Sequence, residues 1–171
     1  ETPADVLLAD LARDVADRAA RRSGREITVV EQGDGAPVTV RPQMVERAIS
    51  NLVDNAVKYS PAGTPVEIAV DGGRLEVRDR GPGIAEEDQP HVFDRFYRST
   101  AARAEPGSGL GLAIVEQIVR RHHGAVWARN QVGGGAAVGF ELPMAGRADS
   151  RASYTALGER LQESPIIGTH G

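Results

Sequence analysis

Three polar side chains on one predicted helix could hold a metal ion and phosphate groups. Asn51, Asn55 and Lys58 are four and three residues apart, so on a helix they share one face, while the apolar residues among positions 52–57 supply a side that can be buried. An amide oxygen can ligate a hard cation such as Mg²⁺, and a lysine head can meet phosphate oxygens. The same pattern also fits an ordinary amphipathic helix whose polar face meets water, so alone it does not decide between the two.

Two glycine-rich segments follow this helix, and both could bring backbone close to a ligand. Residues 79–83 read DRGPG directly after the strand-like LEVR, and residues 107–112 read GSGLGL at the start of a predicted helix. Glycine allows close approach because it has no Cβ, and free N–H groups at a helix N-terminus can face phosphates. Taken singly, the first segment also fits a strand-ending turn and the second a helix start without a ligand. The second is neither a Walker A loop nor a Rossmann fingerprint, because its glycines are spaced GxGxG.

The segment between the two glycine-rich stretches, residues 85–106, is too long for an ordinary connection. Long segments of this kind are often lids that close over a ligand. The run FDRFYR at 93–98 lies within it, and Phe93 and Phe96 would anchor the lid against the domain when it closes. The alternative is a solvated basic loop.

These four segments, in this order, resemble the ATP-binding catalytic domain of bacterial sensor histidine kinases, within the wider ATPase group that includes gyrase, Hsp90 and MutL. The resemblance covers roughly residues 5–143. It implies an α+β fold, a two-layer sandwich known as the Bergerat ATP-binding fold. In that fold a mixed, mostly antiparallel sheet is covered on one face by three helices, and a long ATP lid is present.

The resemblance implies a role for each polar group in binding ATP and Mg²⁺. Asn55 would be the Mg²⁺ ligand through its side-chain oxygen, and Asn51 would support the same site. Lys58 would contact phosphate, and Tyr59 would lie beside the nucleotide. Asp79 would accept a hydrogen bond from the adenine amino group.

The resemblance also implies a larger set of nucleotide contacts and a catalytic set. Arg98 in the lid would reach the γ-phosphate, where a guanidinium can neutralise developing charge. The catalytic set is then Asn51, Lys58 and Arg98. The remaining expected nucleotide-binding residues are Gly81, Gly83, Ile84, Gly107, Gly109, Leu110 and Gly111.

Two departures from the pattern of the group bear on its chemistry. The gyrase, Hsp90 and MutL branch has a water-activating Glu four residues before the metal-binding Asn, and here Asn51 stands in that position. Amides are poor general bases, and Glu46 would project from the opposite side of an ideal helix, so phosphoryl transfer to a histidine fits better than hydrolysis. Near the adenine, Ala136 and Ala137 replace the threonines that family members often carry, so one hydroxyl contact is expected to be missing.

The chain has no histidine in the His-Glu/Asp-x-Arg-x-Pro setting of the family's phosphoacceptor. The expected partners are therefore a separate dimerisation and histidine-phosphotransfer hairpin of the parent kinase and, downstream, a response regulator. The isolated domain is expected to be a monomer and to be the cytoplasmic part of a parent protein in the inner membrane of a bacterium. Two alternatives stay open, namely an ATP hydrolase of the gyrase or MutL type and a non-catalytic nucleotide-binding regulator.

Composition and periodicity define the elements that must position these residues. A chain of 171 residues with 40% hydrophobic content fits one domain, a net charge of −4 gives no reason to expect nucleic acid, and the absence of cysteine excludes disulfides. The catalytic domain is expected over residues 1–144, followed by a disordered tail over 145–171. Helices are predicted over 5–22, with Asp5 as N-cap, over 42–59 and over 110–122. Strands are predicted over 27–30, 38–40, 66–70, 74–79, 126–129 and 136–142.

Overall fold

The computed structural model describes residues 1–33, 35–97 and 110–145. Within these ranges the chain forms three α-helices: α1 (Leu8–Ser23), α2 (Pro42–Tyr59) and α3 (Gly111–Arg121). The strands of the same ranges are β1 (Ala4–Val6), β2 (Ile27–Gln32), β3 (Val38–Val40), β4 (Val66–Asp71), β5 (Arg74–Arg78), β6 (Ala125–Asn130) and β7 (Ala136–Glu141). No helix in the described ranges is both long enough and apolar enough to cross a membrane.

Five of the described strands form one sheet in the order β2-β4-β5-β7-β6. β2 pairs with β4 in parallel, and every other neighbouring pair in this sheet is antiparallel. Alternate residues of the central strands are buried against the helices, because successive side chains of a strand point to opposite faces. This face packs into one core with α1, α2 and α3. The prediction of a two-layer α+β sandwich with a mixed, mostly antiparallel sheet is confirmed.

The N-terminal segment departs from the sequence prediction. Asp5 was expected to cap the first helix, but it lies in β1, which pairs antiparallel with β3 in a separate two-stranded sheet. The Asp5 carboxylate accepts a hydrogen bond from the Thr39 hydroxyl at 2.5 Å. α1 begins only at Leu8, and its N-cap residue, Leu7, makes no side-chain cap. The capping prediction was wrong because this long-range pairing competes with local helix formation.

The face of the sheet that is not covered by the helices carries a carboxylate that is itself buried by neighbouring side chains. Glu76 in β5 is 4% exposed and accepts hydrogen bonds from Trp127 (3.0 Å), from Arg129 (2.8 and 2.9 Å) and from Arg78 (2.9 Å). Burial alone would raise the pKa of Glu76, but these hydrogen bonds outweigh burial and hold its pKa below the ordinary value. The interaction therefore ties β5 to β6 across β7.

Replacing Glu76 with Gln should lower the free energy of unfolding at neutral pH by about 2 kcal/mol, because Arg78 and Arg129 would lose a charged acceptor and one of its two oxygens would be replaced by a donor. The folded-state pKa of Glu76 lies below its unfolded value of about 4.3, so its stabilisation is complete above that pH and is lost as the pH falls through the folded-state pKa. Urea unfolding from pH 3 to pH 7 measures both effects. Glu67→Gln, which alters a more exposed acceptor of Arg78, is the control and should change stability by less than about 1 kcal/mol. Equal losses in the two variants would contradict the prediction.

Candidate functional site

The polar stripe of α2 lies as the spacing predicts, on the side of the helix away from its buried residues Leu52, Val53 and Ala56. The Asn51 side chain donates a hydrogen bond from Nδ2 to the Gly111 carbonyl oxygen at 3.3 Å, which connects α2 to the first residue of α3. Asn55 is half-buried, and no hydrogen bond links it to the residues described. The amide of Asn55 is therefore available to a ligand.

The C-terminal end of α2 carries the other two predicted residues of the helix. Lys58 is exposed and its Nζ lies 5.3 Å from the centroid of the half-buried Tyr59 ring. Directly beyond, Ser60 ends the helix in an extended conformation and its hydroxyl donates to the Ala56 carbonyl oxygen at 2.6 Å.

Arg25 holds this end of α2 and was not singled out from the sequence. Its guanidinium donates to the Val57 carbonyl oxygen at 3.2 Å, to the Ser60 hydroxyl at 2.6 Å and to the Thr64 carbonyl oxygen at 2.9 Å. A cation at a helix C-terminus also interacts favourably with the helix dipole. Arg25 therefore fixes the backbone on either side of Tyr59.

Asp79 follows β5 directly and is 6% exposed. Its backbone N–H donates to the Ala136 carbonyl oxygen at 3.0 Å. Its Oδ1 accepts hydrogen bonds from the N–H groups of Gly81 at 2.8 Å and Ala136 at 3.2 Å. Oδ2 accepts none from residues 1–33, 35–97 or 110–145. A buried carboxylate oxygen without a donor is costly, so Oδ2 is an acceptor that a bound ligand could satisfy.

Two glycines of the 79–83 turn lie so close to other parts of the domain that a side chain would collide with them. A Cβ on Gly81 would lie 2.6 Å from the Tyr59 carbonyl oxygen. Gly83 has a φ of +82°, and a Cβ there would lie 2.7 Å from Asn130 Oδ1. The sequence interpretation, that these glycines allow a flat ligand to approach, is independent of these contacts and stays a prediction. Gly81 lets the turn pack directly on the end of α2, which brings Asp79 and Tyr59 into one site.

Gly81→Ala should lower the free energy of unfolding by about 1–3 kcal/mol, because the new methyl group would collide with the backbone of Tyr59. Gly111→Ala is the matched control, since a Cβ on Gly111 meets no atom of the described residues within 4 Å and alanine favours a helix. Thermal unfolding measured by circular dichroism compares the two variants. An unchanged midpoint for Gly81→Ala, or equal losses in both, would contradict this packing.

The second glycine-rich segment is described only in part. Leu110 is the N-cap residue of α3 and Gly111 is its first residue, so both lie at the helix N-terminus as expected. Gly107, Gly109 and the catalytic candidate Arg98 lie outside the described residues, and their roles remain predictions. The same holds for the tail beyond Ala145 and for the lid beyond Tyr97.

The described start of the lid, residues 85–97, has one aromatic anchor. Phe93 is partly buried against the core, whereas Phe96 is 65% exposed. Behind them, the buried Asp88 accepts a hydrogen bond from the Tyr97 hydroxyl. Phe93 therefore packs against the domain and Phe96 lies on the surface, while the anchoring of a closed lid by both residues stays a prediction.

Glu46, which was considered as a base, and His122 both make contacts with other parts of the domain. Glu46 forms an ion pair with Arg18 of α1 at 3.6 Å. The His122 ring accepts a hydrogen bond at Nε2 from the Arg41 N–H at 3.1 Å, so its Nδ1 carries the proton donated to the Ile118 carbonyl oxygen at 2.8 Å. Both side chains therefore serve contacts between elements.

Comparison with known proteins identifies one matching family and several similar sequences. The model of the family described as histidine kinase-, DNA gyrase B-, and HSP90-like ATPase matches residues 40–146. Over 148 residues, 84% of the chain, the sequence is 44% identical to the signal transduction histidine-protein kinase/phosphatase MprB of Mycolicibacterium smegmatis. The aligned part is 30% of that protein's length, and 18% of the length of the MprB of Mycobacterium sp. strain KMS.

Two solved structures are similar over most of the chain. The mycobacterial sensor histidine kinase MprB superposes with a TM-score of 0.70 at 36% identity, covering 83% of this chain and 97% of that one. Full-length ShkA in complex with AMPPNP superposes with a TM-score of 0.67 at 31% identity, covering 84% of this chain and 32% of that one.

Proposed function

The chain belongs to the histidine kinase-, DNA gyrase B- and HSP90-like ATPase family, and on that premise we propose that it is the ATP-binding catalytic domain of a sensor histidine kinase. The domain binds Mg²⁺-ATP and presents the γ-phosphate to a histidine of a dimerisation hairpin in the parent protein. It thereby acts in two-component signal transduction.

The observation that carries this proposal is Oδ2 of the buried Asp79, which accepts no hydrogen bond from the residues that the structure describes. A carboxylate oxygen accepts hydrogen bonds and cannot donate them at neutral pH, so it selects a ligand that carries a donor. The exocyclic amino group of adenine is such a donor. Oδ1 is already held by two backbone N–H groups, so the carboxylate is oriented before the base arrives.

The Asn55 amide fits a magnesium ion that arrives with the nucleotide. Mg²⁺ keeps much of its water and needs few protein ligands, so one amide oxygen together with phosphate oxygens is sufficient. In the described ranges no group of three or more histidine, aspartate or glutamate side chains could hold a metal ion. Asn55 would hold the ion, which would supply neutralisation of the phosphate charge.

Phosphoryl transfer requires mainly that the reacting groups are positioned and that the charge of the phosphates is neutralised. Lys58, on the same stripe as Asn55, is the proposed phosphate contact, and Arg98 is the proposed γ-phosphate contact. Asn51 supports the site by joining α2 to α3 through Gly111. Since the Asn51 amide cannot act as a general base, water activation is not part of this mechanism.

The proposed partners follow from the family. They are the histidine-bearing hairpin of the parent kinase and a response regulator, with the parent anchored in a bacterial membrane and this domain on the cytoplasmic side. The isolated domain is proposed to be monomeric.

Incubation with γ-labelled ATP and Mg²⁺ tests the proposal. The chain alone should neither label its own histidines nor release phosphate at an appreciable steady rate, and adding the hairpin of the parent kinase should produce acid-labile phosphohistidine. Rapid steady phosphate release by the chain alone would instead indicate a hydrolase of the gyrase type. Nucleotide binding without labelling of the hairpin would indicate a non-catalytic regulator.

A further inference from the structure

We propose that Asn130 and Gln131 form an amide clamp that positions the 79–84 loop and thereby sets the selectivity of the site for the nucleotide base. The two residues end β6 and begin the turn that leads to β7. This inference rests on the proposed function, because it assigns positioning residues to the same nucleotide site.

The first half of the clamp holds the far end of the loop. The Ile84 N–H donates to Asn130 Oδ1 at 2.6 Å, and Asn130 Nδ2 donates to the Ile84 carbonyl oxygen at 2.9 Å. One side-chain amide thus satisfies both backbone groups of Ile84, as a neighbouring strand would. Gly83, with its positive φ, allows the backbone to approach the Asn130 amide this closely.

The second half of the clamp holds the near end of the loop. Gln131 Nε2 donates to the Asp79 carbonyl oxygen at 2.9 Å and to the Ala136 carbonyl oxygen at 3.3 Å. The turn that carries Gln131 is itself pressed against this point, since a Cβ on Gly135 would lie only 1.9 Å from the Asp79 carbonyl oxygen. The backbone of Asp79 is therefore fixed by the turn between β6 and β7.

Together the two amides fasten the loop at its first and last residues, while Gly81 packs against Tyr59 in the middle. The position of Asp79 Oδ2 depends on all three contacts. An acceptor that is held rigidly discriminates between a base with an amino group and a base with a carbonyl oxygen, whereas a mobile acceptor tolerates both. Asn130 and Gln131 do not touch the base, so they act as positioning residues.

The test compares Asn130→Ala and Gln131→Ala with the unaltered chain. Calorimetry gives the affinities for the β,γ-imido analogues of ATP and ITP, and their ratio is the base selectivity. In each variant the ratio of the two affinities should fall about three- to tenfold, the change expected when one hydrogen bond is lost. Partial unfolding would lower the stoichiometry for both analogues and leave the ratio unchanged, so the ratio separates positioning from mere stability.

A conservative variant and a local control sharpen the comparison. Asn130→Asp keeps the acceptor for the Ile84 N–H but loses the donor. The base selectivity of this variant should therefore lie between the selectivities of the unaltered chain and Asn130→Ala. Val132→Thr alters the next residue of the turn, which is fully exposed, and should keep the selectivity of the unaltered chain.

Amide hydrogen exchange without nucleotide measures the clamp independently of function. The Ile84 N–H should be protected in the unaltered chain and should exchange at least about tenfold faster in Asn130→Ala. Faster exchange with reduced selectivity supports the proposal, and unchanged exchange or unchanged selectivity overturns it. If the unaltered chain binds neither analogue, the selectivity role fails together with the proposed function. A loss of Ile84 protection in Asn130→Ala would then show that the error lies in the function and not in the geometry.

Discussion

Asp79→Asn should weaken binding of a non-hydrolysable ATP analogue by about 10- to 100-fold, the value expected when a charged acceptor is lost from a buried hydrogen bond. The substituted amide can still accept the hydrogen bonds from Gly81 and Ala136 through one oxygen. Its NH₂ group would then occupy the place of Oδ2 and oppose the amino group of adenine. Calorimetric titration measures the loss.

A second nucleotide, which differs only in its base, provides the control for this substitution. The analogue of ITP carries an oxygen where adenine carries its amino group, so the Asp79→Asn variant should prefer it relative to the unaltered chain. A parallel loss for both bases would mean that the substitution damages the fold. An unchanged affinity for the ATP analogue would show that Asp79 does not contact the base.

Asn55→Ala should remove the dependence of nucleotide binding on Mg²⁺. In the unaltered chain, Mg²⁺ is expected to raise the affinity for the ATP analogue by about tenfold or more, since Asn55 would hold the ion and the ion would neutralise phosphate charge. The variant should bind equally, and weakly, with Mg²⁺ and with a chelator. Titrations under the two conditions give the difference directly.

Asp54→Asn is the matched control for this experiment. Asp54 lies on the same helix, but its carboxylate is exposed and pairs with Arg22 of α1 at 2.7 Å. The Asp54→Asn variant should retain the full increase in affinity for the ATP analogue that Mg²⁺ causes. Loss of the effect in this variant, or its persistence in Asn55→Ala, would contradict the assignment of Asn55 as the metal ligand.

Local patterns were enough to predict most of the fold. The spacing of apolar residues in α2 and α3, and Pro42 at the start of α2, locate both helices because burial of one face dominates their stability. The Asp71-Gly72-Gly73 turn between β4 and β5 predicts their hairpin, because these residue types favour tight turns. β1 was missed, since its pairing with β3 joins residues about 34 positions apart and leaves no local trace.

The placement of a candidate residue was predictable wherever one short segment determines it. The stripe of Asn51, Asn55 and Lys58 depends on helical spacing alone, and Asp79 depends on the end of one strand. Arg25 and the clamp residues could not be found this way, because their contacts span 32 to 52 residues. The packing of Gly81 against the end of α2 could not be predicted from the sequence either, because it joins two separate segments.

The central claim is that this chain binds Mg²⁺-ATP through Asn55 and Asp79. Its most direct test is a calorimetric titration of the unaltered chain with AMPPNP, with and without Mg²⁺. The account predicts saturable binding of one nucleotide per chain, strengthened by Mg²⁺ and much weaker for the ITP analogue. Absence of binding under both conditions, or equal binding of the two bases, would contradict it.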